Sequence, residues 1–191
     1  NAHPHTDCSG QVAVIHNGIV ENYLPLKRAL NDSGHLFKSM TDTEVLPHLI
    51  EEELKGLAGA LPLSPEAAEA AFIKAVRTVL EGVRGAYALA ALWSQAPRLI
   101  VAAKKDSPLI IGLGEGENFL ASDVPAILGH TRRIVYLQDG EFAALRDDRC
   151  DFYDAHGWEA GLNSLRYNRF EPFVVHLYDQ VELELPLRGD L

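Results

Sequence analysis

At 191 residues the chain is long enough for one domain with a real core, and an apolar share of 47% suits a folded globular protein. Seventeen Lys and Arg against 27 Asp and Glu leave a net charge of −10, which argues against nucleic acid as the main partner, because phosphate contacts need clustered cations. No apolar run approaches the ~20 residues of a membrane span, and no basic stretch followed by an apolar one reads as an export signal, so no membrane partner is expected.

In chain order, residues 11–16 read as a buried strand ending before Asn17 and Gly18. Residues 21–32 read as a helix with Tyr23, Leu26 and Leu30 on one face and Gly34 as a stop signal. A second helix is expected over 43–55, with Thr43 as a cap and Pro47 near the first turn, where proline costs least. A Gly- and Pro-containing loop over 56–63 follows. The third helix has the clearest signal. Ser64 can cap it, Pro65 fits its first position, and Ala68, Phe72, Ala75, Val76 and Val79 recur at helical spacing. From Gly85 the period changes to short strands over 86–93, 99–103, 109–111, 118–121, 134–137 and 141–145. Asp139-Gly140 reads as a hairpin between the last two, and 122–128 as one short helix. Helices followed by antiparallel strands predict a layered α+β fold.

The two cysteines, Cys8 and Cys150, make no disulfide framework and point to a reducing cytoplasm, with a single Cys8–Cys150 bridge left open. The segment His16-Asn17-Gly18-Ile19-Val20-Glu21-Asn22-Tyr23 carries the strongest chemical signal. A strand that delivers Asn17 and Gly18 to a turn can aim a side-chain amide and a backbone N–H at one point. Two such donors make an oxyanion hole. The alternative is a plain Asn-Gly turn.

Three segments, taken together, resemble the class II glutamine amidotransferase domain. They are Asn1-Ala2-His3-Pro4-His5-Thr6, the Asn17-Gly18 segment, and Gly34-His35 with Ser39 and Thr41-Asp42-Thr43-Glu44-Val45. Gly112-Leu113-Gly114-Glu115-Gly116-Glu117-Asn118-Phe119-Leu120-Ala121-Ser122-Asp123 and Thr131-Arg132-Arg133 agree. The Ile-Val-Glu-Asn-Tyr run after Gly18 is similar to the branch of that class that forms an amino sugar phosphate. The resemblance implies a four-layer αββα sandwich of the N-terminal nucleophile hydrolase type, here incomplete at its N-terminus. It covers roughly residues 1–146. The expected division is a glutaminase domain over 1–150 and an unassigned tail over 151–191, in which 173–178 and 181–185 could be strands.

The resemblance also implies chemistry. L-glutamine would be hydrolysed to glutamate and ammonia through a thioester on an N-terminal cysteine, with no cofactor. Asn17 would donate its side-chain amide, and Gly18 its backbone N–H, to the oxyanion. Asp42 would hold the α-ammonium of glutamine, its alternative being a helix N-cap. The ammonia would pass to fructose 6-phosphate on a sugar-phosphate isomerase half, normally in the same chain, and the full-length enzyme would be a homodimer. The residues given begin inside the family pattern and lack the N-terminal cysteine, so activity is not expected of them alone. Cys8, in a turn after His5-Thr6-Asp7, reads as an incidental or structural thiol.

His3, His5, Cys8 and His16 are ligand-like, but their spacing matches no tight zinc motif, and no metal is expected. Gly112-x-Gly114-x-Gly116 is followed by a strand rather than a helix N-terminus, so a tight turn is preferred over a phosphate cradle. A non-catalytic, glutaminase-like binding module and an amidotransferase serving another acceptor remain alternatives.

Overall fold

The computed structural model describes residues 3–57 and 63–154. The tail segments at 173–178 and 181–185 lie outside the described residues.

Among the described residues, six antiparallel strands form the main sheet, in the spatial order β1-β2-β3-β4-β8-β9. They are β1 (His5–Thr6), β2 (Val12–Val20), β3 (Gly85–Trp93), β4 (Ile100–Lys105), β8 (Phe142–Leu145) and β9 (Cys150–Tyr153). A second sheet, in the order β6-β5-β7, contains β5 (Ile110–Leu113), β6 (Asn118–Ala121) and β7 (Ile134–Tyr136). Among the described residues, three helices lie between β2 and β3: α1 (Tyr23–Asp32), α2 (Val45–Leu57) and α3 (Pro65–Gly82).

The period-2 alternation of strand side chains builds the layers. In β3, Leu89, Ala91 and Trp93 face the helices and join Phe72, Ala75 and Val76 of α3 in one core. Ala88, Ala102 and Ala143 point the other way. Their small side chains admit Leu109, Ile111, Leu113, Val135 and Leu137 of the region of the second sheet. The outer face of that sheet is covered at Ile110 and Ile134 by Ile127. Each large side chain that is fully buried, such as Phe72, contributes about 1.5–3 kcal/mol.

The α+β class and the doubly covered sheet match expectation, as do Ser64 and Pro65 at the start of α3. Ser64 Oγ accepts the Ala67 N–H at 3.3 Å. Three local expectations need correction. Residues 122–130 form bends and turns rather than a helix, although Asp123 Oδ1 does accept the Ala126 N–H at 3.3 Å. Asp139-Gly140 does not make a hairpin, because β7 and β8 belong to different sheets and this turn carries the chain from one to the other. The turn is held instead by Asp139, which accepts the Asp106 N–H and pairs with Lys104. Asn17 and Gly18 lie inside β2, where they pair with Ala88 and Tyr87 of β3. Nine paired residues outweigh a dipeptide preference for turns.

Candidate active site

The outer side of β2 is only partly covered, since β1 reaches no farther than Ala13 and Val14. Glu21 N–H donates to the Arg84 carbonyl at 2.9 Å, so odd-numbered residues turn their amides toward β3. Even-numbered residues turn theirs outward. Val12 N–H donates to Asp7 Oδ1 at 2.9 Å, and Val20 N–H to Asp42 Oδ2 at 2.6 Å. Gly18 belongs to the outward set. By this alternation its amide faces the same open edge as the Asp42 carboxylate, two residues before Val20.

Side chains alternate as well. Val12, Val14 and Val20 are buried beneath the helices, whereas Ile15, Asn17 and Ile19 are exposed on the opposite face. Asn17 lines a cavity of about 330 Å³ together with Ile15, Ala88, Leu109 and Leu120. Asp42 is not among the residues lining it. The structure therefore brings Gly18 and Asp42 to one strand edge and opens the Asn17 side chain toward a groove against the second sheet.

The segment ahead of α2 is wired to hold Asp42 at that edge. Asp42 Oδ1 accepts the adjacent Thr43 N–H at 3.0 Å, while Oδ2 clasps Val20. This is not an N-cap, whose side chain would accept from a residue two or three positions on. Thr43 does not cap the helix with its hydroxyl either, since its Oγ1 meets His16 Nδ1 at 2.9 Å. Buried Glu44 gathers the preceding turn, accepting Lys38 N–H and Ser39 N–H at 2.7 Å each and Ser39 Oγ–H at 2.6 Å. Burial alone would raise the Glu44 carboxyl, but these hydrogen bonds hold it below its ordinary value. Thr41 Oγ1 links Ser39 Oγ at 2.8 Å to His5 Nε2 at 3.2 Å. The sequence marks Thr41, Thr43 and Glu44 as part of a motif and Thr43 as a cap, but not the contacts they make here.

His16 sits below Asn17 with its ring buried, and its Nε2 has no hydrogen-bond partner among the described residues. Burial pushes its pKa below the ordinary imidazole value, with the nearby Asp42 charge opposing. The ligand-like quartet of His3, His5, Cys8 and His16 does not assemble. His5 and His16 go to Thr41 and Thr43, while Cys8 turns toward His35 and His48. Both Cys8 and Cys150 are free thiols.

Residues 1–129 match the family model described as a glutamine amidotransferase domain. The chain belongs to this family. Among relatives of the glutamine amidotransferase domain, it is 57% identical over 148 residues to glutamine–fructose-6-phosphate aminotransferase [isomerizing] of Methanothermobacter thermautotrophicus, covering 78% of this chain and 23% of that one. It is 51% identical over 148 residues to the enzyme of the same name from Pyrococcus horikoshii, with the same coverage of each. The chain thus spans about a quarter of the length of the curated relatives it matches. In structure it is similar to glutamine phosphoribosylpyrophosphate amidotransferase from B. subtilis, with a TM-score of 0.60 and 24% identity, over 81% of this chain and 32% of that one. That likeness shows a shared amidotransferase fold, the layered α+β sandwich described above. Among the described residues no helix is long and apolar enough to cross a membrane.

Proposed function

We propose that this amidotransferase domain is the glutaminase part of a longer glutamine–fructose-6-phosphate aminotransferase. In this reading a cysteine thiolate at the N-terminus of the longer protein attacks the amide carbon of L-glutamine. The C–N bond breaks, ammonia leaves, and water hydrolyses the resulting thioester to glutamate. Asn17 Nδ2–H and the Gly18 N–H stabilise the oxyanion, and Asp42 takes the α-ammonium group. Fructose 6-phosphate, bound by a sugar-phosphate isomerase half, accepts the ammonia. The longer protein works as a cytoplasmic homodimer without a cofactor in its glutaminase domain.

The observation that carries this reading is the clasp between Asp42 Oδ2 and the Val20 N–H. It fixes an anion on the strand edge toward which the Gly18 amide turns. An anion for the ammonium end and a donor for the amide end are what a free amino acid offers a site to recognise.

The test is glutamate release by the longer protein. Asn17→Ala is expected to lower kcat about 10²–10³-fold with little change in KM. An unchanged kcat removes Asn17 from the oxyanion role. Glutamine binding without hydrolysis by the intact protein would favour a non-catalytic binding module, and hydrolysis that no sugar phosphate stimulates would point to another acceptor.

A further inference from the structure

We infer that Cys8, His35, His48 and Glu51 form a four-ligand site for a tetrahedral divalent metal, zinc by the chemistry of its donors. The four ligand atoms lie within 4.8 Å of one another. Cys8 Sγ is 3.7 Å from His35 Nδ1 and 3.6 Å from His48 Nδ1. The two Nδ1 atoms are 3.1 Å apart. Glu51 Oε2 lies 3.3 Å from His35 Nδ1 and 3.8 Å from His48 Nδ1. A tetrahedron with zinc–sulfur bonds of about 2.3 Å and zinc–nitrogen bonds of about 2.0–2.1 Å has edges of about 3.6 Å between S and N and about 3.4 Å between N and N. The observed sulfur–nitrogen and nitrogen–nitrogen edges fall close to these values.

Hydrogen bonds around the cluster leave its lone pairs pointing inward. His35 Nε2 meets Glu52 Oε1 at 2.9 Å, so the ring proton belongs on Nε2 and Nδ1 is left as a ligand. A carboxylate behind a histidine is a recurring support of metal sites. His48 Nε2 makes no hydrogen bond among the described residues and faces Glu44 Oε1 at 4.0 Å, which also suits a proton on Nε2. Leu36 N–H donates to Cys8 Sγ at 3.4 Å, as a thiolate would accept. Two lone-pair nitrogens, a sulfur and a carboxylate oxygen crowded this closely repel one another unless protons or a shared cation lie between them.

The fold explains the convergence. Cys8 comes from the turn between β1 and β2, and His35 from the segment just after α1. His48 and Glu51 stand three positions apart on one face of α2, where side chains are neighbours. Soft sulfur with imidazole selects zinc over magnesium or calcium. Four protein ligands leave no open position, so the role is structural: one ion ties the β1–β2 turn and the segment after α1 to α2. The sequence predicts no metal, and of its ligand-like quartet only Cys8 takes part.

The longer protein is purified without added chelator and its metal is measured, then cobalt is exchanged in. The expected result is one zinc per chain, and a cobalt form with intense tetrahedral d–d bands and a thiolate-to-cobalt charge-transfer band. Cys8→Ser should abolish that band, and His35→Ala should cut the metal content at least tenfold. Should His35→Ala fail to fold, Cys8→Ser at an exposed turn still decides the matter. Absence of bound metal after titration with zinc, or a cobalt spectrum unchanged by Cys8→Ser, overturns the site.

Discussion

A Cβ placed on Gly18 would stand 2.1 Å from the Ala86 carbonyl oxygen of the facing strand. Gly18 also has a φ of +147°, in a region that residues with side chains rarely adopt. The obstacle is backbone, so no rotamer change relieves it. The glycine therefore allows β2 and β3 to stay paired with a backbone conformation that a side chain would strain.

Gly18→Ala is accordingly expected to destabilise the fold by about 3 kcal/mol or more, combining backbone strain with a forced separation of the two central strands. Urea denaturation followed by circular dichroism measures it. A loss below about 0.5 kcal/mol would mean that the edge of β2 is freer than the structure has it.

Asp42 allows binding and stability to be separated. Asp42→Asn keeps an oxygen able to accept the Val20 N–H but removes the charge. Losing a charge-assisted bond of about 1.5–3 kcal/mol corresponds to a roughly 10–150-fold weaker hold on glutamine. The urea midpoint should move little in this variant. Asp42→Ala instead strands the Val20 amide and should add a stability loss of about 1–3 kcal/mol. Glutamine titration calorimetry and urea melts on both variants test this, and equal glutamine affinity in Asp42→Asn and the parent would remove Asp42 from substrate binding.

Some of this architecture was legible because it is encoded locally. Ser64, Pro65 and the apolar stripe from Ala68 to Val79 specify a cap, a first turn and a buried face within one segment. Asp139-Gly140 specifies a turn equally well but not the sheet that the next strand joins. That choice lies with the pairing of β8 to β4, far away in sequence. Asn17-Gly18 misleads for the same reason, since the long register with β3 is a non-local fact. The two-residue β1 is too short to show any period. Asp42 could be singled out from a motif, but its clasp on Val20 could not. The Cys8, His35, His48 and Glu51 cluster was hidden because its members are spread over 44 positions, in the β1–β2 turn, the segment after α1 and α2 itself.

Stability should fall as pH drops below the ordinary imidazole value of 6.5. His16 is depressed in the folded state, chiefly by burial, with the His3 and His5 charges adding and Asp42 opposing. In the unfolded chain the ring takes up its proton near 6.5, whereas the folded ring resists. The contribution is thus complete above about 6.5 and is lost progressively below it. His5 shifts in the same direction, again mainly through burial. Urea midpoints between pH 7.5 and 5.5 should decline for the parent and decline less steeply for His16→Gln. Parallel curves for the two proteins would mean that His16 does not contribute to the linkage.

The sheet extends beyond the domain limit of residue 150 expected from the sequence, and Phe152 is the residue through which to test that. β9 pairs with β8 in register from Phe142↔Tyr153 to Leu145↔Cys150. The Phe142 and Tyr153 rings stack at 4.6 Å between centroids, and Phe152 is buried on the other face against the second sheet. Arg146 ties the same strand to α3, with Nη1 at 2.6 Å from Asp151 Oδ2 and Nη2 at 2.7 Å from Glu69 Oε2. A strand buried on one face, stacked on the other and ion-paired to a helix belongs to the core. Phe152→Ala should therefore cost about 3–5 kcal/mol, the range for deleting a buried aromatic ring. A surface tail would lose less than about 0.5 kcal/mol. Urea unfolding of the variant distinguishes the two, and the smaller figure would return the domain limit to residue 150.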